Sequence, residues 1–333
     1  MTDVVACLPG DGIGPEVLDQ AVRVLEQLPV DIDVVRLPFG GAAIDETGDP
    51  LPPATLSACR EARAVLLGAV GGPKWDGGDV RPEAGLLGVR KALDVYANLR
   101  PATAGGIDLV IVRELVGGLY FGRRGVLSDG TVFDTCEYHP AQIERVVRRA
   151  FELARRRSRS LVSVDKANVL DTSRLWRRVV TELGRDYPDV ALRHALVDSA
   201  AMELVTDADR FDVIVTENTF GDILSDIAAA VTGGLGLAAS ASLGDLGPGI
   251  FEPVHGSAPD IAGTGAANPA AMLRSLALML EHAFDRPELA AAVIEAVDAT
   301  MIAHPTPDLG GTATTASFGD AVLARLAREA VVG

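Results

Sequence analysis

The sequence predicts an α/β protein of two domains with a largely parallel β-sheet. Short apolar runs at 4–8, 32–37 and 64–67 alternate with helical patterns, which is typical of βαβ units. Turns rich in glycine and proline follow several of these runs, as at 9–15. A length of 333 residues is too great for one small core and suits two domains of ordinary size.

Further elements follow in a regular order. Pro15 fits the first position of a helix that continues to residue 28, because proline has no N–H to leave unpaired and its φ is already helical. Four later apolar runs are predicted strands that end in polar residues: 109–114, 161–164, 192–197 and 211–215. Helices are predicted at 140–157 and 270–284. Glycine-rich loops at 233–236 and 244–249 indicate a domain boundary.

Composition narrows the class of protein. Hydrophobic residues make up 48% and charged residues 23%, a globular balance that argues against disorder. A formal net charge of −16 would repel a phosphate backbone, so nucleic acid is not an expected partner. An anionic substrate would therefore need a local cluster of basic side chains.

The three cysteines, Cys7, Cys59 and Cys136, form no CxxC pair, and their odd number argues against a disulfide framework. We expect reduced thiols in a cytoplasmic protein. No basic-then-apolar leader opens the chain, and the apolar stretch 270–280 is too short to cross a bilayer, so no membrane association is expected.

Polar residues follow three of the predicted strands. Lys166 and Asn168 come after the first of them, Asp198 after the second, and residues 216–218 after the third. Ligands of open α/β sheets bind beyond the carboxyl ends of the strands. We therefore expect these side chains to approach one another.

Asp222 and Asp226 are four residues apart, a spacing that places both carboxylates on one face of a helix. Two like charges there repel unless a cation lies between them, and oxygen ligands select Mg²⁺ or Mn²⁺. A solvated acidic face is the alternative interpretation. The position of the pair directly after a strand, with Asp198 expected at the end of a neighbouring strand, favours the metal.

Four basic residues are candidates for chemistry. Lys166 is either a surface lysine whose stem covers apolar residues or a proton acceptor whose neutral form is favoured by its surroundings. Arg90, Arg100 and Arg113 lie in separate segments, and guanidinium groups bind carboxylates in a bidentate manner. Their spacing alone does not show that they converge.

Neither of the common nucleotide-binding glycine motifs is present. Gly10, Gly12 and Gly14 do not form GxGxxG, and no GxxxxGK[ST] occurs. The segment 252–263 is a polar loop punctuated by glycine and proline. It is either an ordinary connection or a loop whose backbone lies against a nucleotide.

Several long motifs, in this order, resemble the isocitrate/isopropylmalate dehydrogenase family of β-decarboxylating dehydrogenases over nearly the whole chain. They are LPGDGIGPEV at 8–17, GAVGGPKWD at 68–76, NLRP at 98–101, VRELVGGLYFG at 112–122, VDKANVL at 164–170, VTENTFGDILSD at 215–226 and EPVHGSAPDIAG at 252–263. The stretch 113–122 resembles the 3-isopropylmalate branch. Val116 departs from the threonine usual there, and the chain is somewhat short.

The resemblance implies a two-domain fold that is not a Rossmann fold. The first domain would comprise 1–95 and 234–333 and carry the cofactor loop. The second, 96–233, would carry the metal and catalytic residues and the contact of a homodimer. Each active site would draw residues from both copies.

The resemblance also implies roles for individual residues. The catalytic residues would be Tyr120 and Lys166. The substrate's carboxylates would bind Arg90, Arg100 and Arg113, assisted by Asn168 and Asp198. The metal would bind Asp222 and Asp226 with Asp198 of the other copy. The isopropyl subsite would comprise Glu83, Leu86, Leu87 and Val169. The cofactor would contact Glu252, His255, Gly256, Ser257, Ala258, Asp260, Ile261 and Asn268.

The implied reaction is the NAD-dependent, Mg²⁺- or Mn²⁺-dependent oxidative decarboxylation of 3-isopropylmalate to 4-methyl-2-oxopentanoate in leucine biosynthesis. Asp260 favours NAD, because a carboxylate accepts hydrogen bonds from both ribose hydroxyls and repels the 2′-phosphate of NADP. Two leucines in the subsite favour an apolar substituent over a carboxylate. A D-malate or tartrate dehydrogenase of the same type is the alternative.

Overall fold

The computed structural model describes the backbone of residues 2–332 and the side chains as far as Arg328. Two compact units divide the chain. The first unit comprises the residues up to Leu93 and those from Leu235 onward, and the second unit comprises Asp94–Gly234.

The helices and strands alternate over much of the chain. In chain order the strands are β1 (Asp3–Gly10), β2 (Ile32–Arg36), β3 (Ala64–Ala69), β4 (Ala97–Ala104), β5 (Ile107–Glu114), β6 (Arg124–Val126), β7 (Val132–Asp134), β8 (Ser160–Asp165), β9 (Ala191–Leu196), β10 (Val213–Thr216), β11 (Ala239–Leu243) and β12 (Gly249–Pro253). The helices are α1 (Gly14–Gln27), α2 (Gly40–Thr47), α3 (Pro53–Glu61), α4 (Pro82–Ala92), α5 (Pro140–Arg156), α6 (Asp171–Leu183), α7 (Val197–Thr206), α8 (Asn218–Val231), α9 (Ala270–His282), α10 (Pro287–Ala303) and α11 (Thr315–Val332). The predicted α/β class is confirmed.

In the first unit the strands lie in the order β2–β1–β3–β12–β11, and all neighbours are parallel except β11 and β12. Strand β3 is buried throughout, as its uninterrupted apolar sequence requires. Helix α1 buries one face that includes Val17, Leu18, Ala21 and Leu25, whose spacing of three and four residues produces an apolar stripe.

In the second unit the order is β4–β5–β10–β8–β9, with β4 antiparallel to β5 and the others parallel. Helices α7 and α8 bury Leu204 and Leu224 against a core that includes Ile111, Val162 and Ile214. Strands β6 and β7 form a separate antiparallel pair.

The structure corrects two of the sequence-based expectations. Asp198 does not follow a neighbour of β10, because β8 lies between β9 and β10. The expected loop 252–263 begins within a strand, since Glu252 and Pro253 belong to β12, which pairs with β11. The first correction concerns which strands are neighbours, which an apolar run does not specify. The second concerns where a strand ends, because the polar Glu252 still pairs within the sheet.

The three cysteines are free thiols. Over the part of the chain that the structure describes, no helix combines the length and the apolar character needed to cross a membrane.

Candidate active site

Arg113 and Asp222 form the centre of a charged cluster in the second unit. Strand β5 ends beside β10, with Arg113 opposite Thr216, and α8 follows β10 directly, so the helix's first turns lie over Arg113. Arg113 is 2% exposed, and its Nη1 pairs with Asp222 Oδ1. Its Nε and Nη2 donate to Asn218 Oδ1 at 3.0 and 2.7 Å, so the guanidinium is fixed from two sides.

Arg100 approaches the same carboxylates from β4. Its Nη2 lies 3.4 Å from Asp222 Oδ1, and its Nη1 lies 3.6 Å from Asp226 Oδ1. Arg100 also donates to Asn98 Oδ1 at 2.7 Å and to Ser225 Oγ at 2.6 Å, which hold its planar group in one orientation. Arg100 and Arg113 therefore converge on Asp222, a meeting that their spacing in the sequence did not show.

Tyr120 completes this cluster. It ends a short 3₁₀ turn, Gly118–Tyr120, and its hydroxyl donates to Asp222 Oδ2 at 3.0 Å. Burial, reinforced by the charge of Asp222, raises the pKa of the Tyr120 phenol, so the phenol carries its proton at neutral pH. A proton donor thus lies beside a carboxylate and two guanidinium groups.

The acidic pair has the character of a divalent-cation site. Asp222 and Asp226 lie on one face of α8 with side chains 35% and 55% exposed, so a ligand can reach both. Burial raises the pKa of Asp226, whereas the charges of Arg100 and Arg113 lower it and that of Asp222 raises it. The oxygen donors of Asp222 and Asp226 fit Mg²⁺ or Mn²⁺.

Asp198 does not join this pair within one chain. Among the side chains that the structure describes, no three acidic, histidine or cysteine residues are grouped to hold a metal. Instead Asp198, in the first turn of α7, accepts a hydrogen bond of 2.6 Å from Lys166 Nζ at the end of the adjacent β8. That hydrogen bond holds the pKa of Asp198 below its usual range. Asn168 and Val169 follow Lys166 and are exposed.

Arg90 belongs to the first unit, on α4. Its Nη2 donates to Glu252 Oε1 at 2.6 Å, and both side chains are buried. The Nε of Arg90 is buried and has no hydrogen-bond partner among the described residues, so one donor remains for a ligand. On the same helix Glu83 is exposed, and Leu86 and Leu87 are half-buried.

The glycine-rich start of the chain lies against the segment predicted to bind the cofactor. Ile13 N donates to Ser257 O at 2.8 Å, and a Cβ on Gly12 would lie 2.0 Å from that oxygen. Gly12 also has a φ of +56°, so only glycine fits there without strain. The glycines predicted as a turn therefore allow two backbone segments to approach closely.

The cofactor segment presents several polar groups. His255 Nε2 is buried without a hydrogen-bond partner among the described residues, Asp260 is exposed, and Ala258 has a φ of +39°. Gly256 and Ile261 are exposed, whereas Ser257 is buried. Asn268 is buried and donates to Asp308 Oδ2 at 3.0 Å.

Four supporting residues received no role from the sequence. Asn218 holds Arg113, and Ser225 holds Arg100. The polar residues after the apolar run 211–215 indicated that Asn218 lies near the site, but not what it does there. Asp11 is buried and accepts hydrogen bonds from the N–H groups of Gly41, Ala42 and Gly71, which ties the turn after β1 to the start of α2 and to the segment after β3. Tyr138 contacts two buried glutamates and gave no sequence signal.

Known proteins resemble this chain over nearly its full length. The model of the isocitrate/isopropylmalate dehydrogenase family matches residues 4–322. A 3-isopropylmalate dehydrogenase of Bacillus cereus is 50% identical, over 99% of this chain and 98% of the relative. A 3-isopropylmalate dehydrogenase of Oleidesulfovibrio alaskensis is 53% identical, over 92% and 95%.

A solved structure confirms the predicted fold. The crystal structure of isocitrate dehydrogenase from Methylococcus capsulatus matches with a TM-score of 0.92 and 38% identity, over 97% of this chain and 99% of that one. Together with the arginine, aspartate and tyrosine cluster on β4, β5 and α8, these matches lead to one conclusion. This chain belongs to the isocitrate/isopropylmalate dehydrogenase family.

Proposed function

We propose that this protein catalyses the NAD- and divalent-metal-dependent oxidative decarboxylation of 3-isopropylmalate to 4-methyl-2-oxopentanoate and CO₂, in the leucine biosynthesis of the cytoplasm. The observation that carries the proposal is the cluster of Arg100, Arg113, Tyr120 and Asp222, which offers cations for a diacid, a carboxylate for a metal and a proton donor. Relatives about half identical over the whole chain bear the corresponding name.

Asp222 and Asp226 would hold Mg²⁺ or Mn²⁺ together with Asp198 of a second copy. The ion would supply a Lewis acid, which favours loss of the substrate's hydroxyl proton and stabilises the negative charge that develops during decarboxylation. Arg100 and Arg113 already touch these carboxylates, so they can bind a substrate carboxylate next to the ion.

The remaining chemistry belongs to side chains. Lys166 of the second copy would take the C2 hydroxyl proton. NAD, when bound, would supply the acceptor for the hydride that leaves C2. The product of oxidation is a 2-oxo acid whose carboxylate lies β to the ketone, and it loses CO₂ to give an enolate. Tyr120 then protonates the enol carbon, which its proton-bearing phenol beside Asp222 is suited to do.

A homodimer is required by this assignment, because Lys166 pairs with Asp198 rather than with Asp222 within a chain. Exposed apolar side chains in the second unit support such an assembly. Met202 and Val205 on α7 are 63% and 64% exposed, and Val132 on β7 is 72% exposed. Met202 and Val205 lie three residues apart on the same face of α7, and exposed apolar side chains that adjoin in this way are typical of a protein interface.

Substrate choice would depend on α4. Leu86 and Leu87 are half-buried and offer an apolar surface of the kind that suits an isopropyl group. The buried Nε of Arg90, on the same helix, has no hydrogen-bond partner among the described residues, so it could donate to a carboxylate oxygen of the substrate. Val169 of the second copy would complete the subsite, and its side chain is 60% exposed.

The cofactor would lie along the segment that begins at Glu252, where the buried, unpartnered His255 Nε2 provides a polar contact. Its ribose would meet Asp260.

Asp260→Lys is expected to reduce kcat/KM for NAD and to raise it for NADP, changing the ratio of the two values by about 10- to 100-fold, or ~1.4–2.8 kcal/mol. Steady-state NADH and NADPH formation measures this. Asp31→Lys, an exposed site with the same change of charge, is the control and should leave the ratio unchanged.

The decisive assay follows NADH formation with Mn²⁺ on 3-isopropylmalate, D-malate and isocitrate, using NAD and then NADP. We expect the highest kcat/KM with 3-isopropylmalate and NAD. Equal kcat/KM without the isopropyl group would identify the D-malate or tartrate type instead, and no NADH formation from any of the three would refute a dehydrogenase role for the site.

Tyr120→Phe is expected to reduce overall kcat by about 10²- to 10⁴-fold, the range for loss of a general acid. The oxidation step should suffer less than the later steps, because the phenol acts after hydride transfer. The measurement supplies the 2-oxo intermediate directly and follows its decarboxylation and the protonation of the product. Normal processing of that intermediate by the variant would remove Tyr120 from this role.

A further inference from the structure

A tyrosine, Tyr138, joins two buried carboxyl groups behind the cluster. Its hydroxyl lies 3.1 Å from Glu114 Oε2 and 3.2 Å from Glu217 Oε2. The same oxygen accepts the backbone N–H of Asn218 at 3.0 Å. Glu114 is fully buried and Glu217 is 8% exposed.

The hydrogen bonds around this phenol require one proton more than two ionised carboxylates supply. A phenol has a single hydrogen, so it can donate to one glutamate and must accept from the other. Both oxygens of Glu114 already accept backbone N–H groups, from Val116 at 3.0 Å and Gly117 at 2.9 Å. Glu217 accepts backbone N–H groups from Phe220, to Oε1 at 2.7 Å, and from Thr219. A proton on Glu217 Oε2, which lies 3.2 Å from the Tyr138 hydroxyl, would complete the hydrogen bonds of the phenol.

The electrostatic surroundings favour retention of that proton. Burial raises the pKa of Glu217 and raises that of Glu114 to about 7. Two nearby arginines act in the opposite direction: Arg145 lowers the pKa of Glu114, and Arg113 lowers that of Glu217. The thiol of Cys136 lies close by, and burial raises its pKa. Both carboxyl groups contact the Tyr138 hydroxyl, so the protonation of one changes the hydrogen bond that the phenol can make to the other.

Each glutamate also supports part of the site. Glu114 accepts hydrogen bonds from the N–H groups of Val116 and Gly117, which directly precede the turn that ends at Tyr120. Glu217 is the N-cap of α8, the helix that carries Asp222 and Asp226. A Cβ on Gly118 would lie 2.5 Å from the Tyr138 hydroxyl, so the turn lies directly on the phenol.

We propose that Glu114, Tyr138 and Glu217 share one proton and act as positioning residues, which hold the Tyr120 turn against the start of α8. The proposal rests on the function given above only where it concerns the catalytic role of Tyr120. The proton sharing and the positioning are properties of the fold, so they can be tested without turnover.

The direct test compares Tyr138→Phe with Glu217→Gln. The amide that Glu217→Gln introduces can donate to Tyr138 while its carbonyl accepts from Phe220, so this variant reproduces the protonated acid. We expect faster amide hydrogen exchange over 116–122 in Tyr138→Phe but not in Glu217→Gln. Infrared spectra should show a protonated carboxyl band near neutral pH in the wild type that is lost in Glu217→Gln. Tyr187→Phe, which removes another hydroxyl from the second unit, is the control.

The pH dependence of stability gives a second readout. A carboxyl group whose pKa is raised by folding stabilises the fold fully below its unfolded pKa, and this contribution is lost as pH rises towards and through the folded pKa. Burial raises the pKa of Glu217, and it raises that of Glu114 from 4.5 to about 7. Because Glu217→Gln removes one of these two groups, its melting temperature should fall less than that of the wild type between about pH 5 and pH 7. An absent carboxyl band, or unchanged exchange in Tyr138→Phe, would overturn the proposal whatever the enzyme's substrate.

If turnover occurs as proposed, kcat adds a third readout. We expect Tyr138→Phe to lower kcat by about tenfold with KM for the substrate changed less than about twofold, because the substrate's arginines are held separately by Asn218 and Ser225. Glu217→Ala should lower kcat about as much as Tyr138→Phe does, whereas Glu217→Gln should keep kcat close to the wild-type value.

Discussion

Lys166→Met is expected to abolish turnover, lowering kcat by at least about 10²- to 10⁴-fold, while NAD affinity stays near that of the wild type. Methionine has a similar length and fills the same space but cannot accept a proton. It also leaves Asp198 without the 2.6 Å hydrogen bond that lowers its pKa. Steady-state kcat and an equilibrium titration with NAD measure the two quantities separately.

The matched control is Lys74→Met, which breaks another lysine–aspartate ion pair, with Asp45, in the first unit. Exposed ion pairs of this kind contribute little to stability, because water screens both charges, so the control should keep its activity and fold. Wild-type activity in Lys166→Met would remove the lysine from the mechanism.

Asp222→Asn is expected to remove both metal binding and activity, with kcat/KM reduced by about 10³-fold or more, or at least ~4 kcal/mol of transition-state stabilisation. Asp222 is the residue on which Arg100, Arg113 and Tyr120 all converge, so its charge organises the whole cluster. The asparagine oxygen can still accept from Arg113, and we therefore expect the variant to fold.

Thermal unfolding with and without Mn²⁺ measures the metal site apart from catalysis, because a ligand that binds only the folded state raises the melting temperature. The wild type should be stabilised by Mn²⁺ and Asp222→Asn should not. Glu182→Gln, an exposed acidic site on α6, serves as the control. Equal stabilisation of wild type and Asp222→Asn by Mn²⁺ would show that the metal binds elsewhere.

Mixing the two inactive variants tests whether sites are shared between copies. In a mixed dimer one site would contain both substitutions, and the other would contain neither. Random exchange of subunits would then restore about a quarter of wild-type activity, since half of the dimers are mixed and each has one intact site. Persistent inactivity after exchange would place Lys166 and Asp222 in the same chain's site.

The sequence by itself determined the elements and the kinds of side chain at their ends. Asp222 and Asp226 were expected on one helical face, and α8 places them there, because that relation depends only on the helical repeat. The strand before Lys166 and the helix that begins near Pro15 are likewise encoded locally, by an apolar run and by proline at a first turn. The family motifs are also a property of the sequence alone.

Only the tertiary structure decided which of these side chains meet. Because β8 lies between β9 and β10, Asp198 pairs with Lys166 and not with Asp222, although all three follow predicted strands. Strand neighbours are chosen by packing over long sequence separations, and an apolar run is compatible with several of them. The same reason explains why the contact of Tyr138 with Glu114 and Glu217 left no trace in the sequence: residues 24 and 79 positions apart become neighbours only when β5 and α8 are assembled.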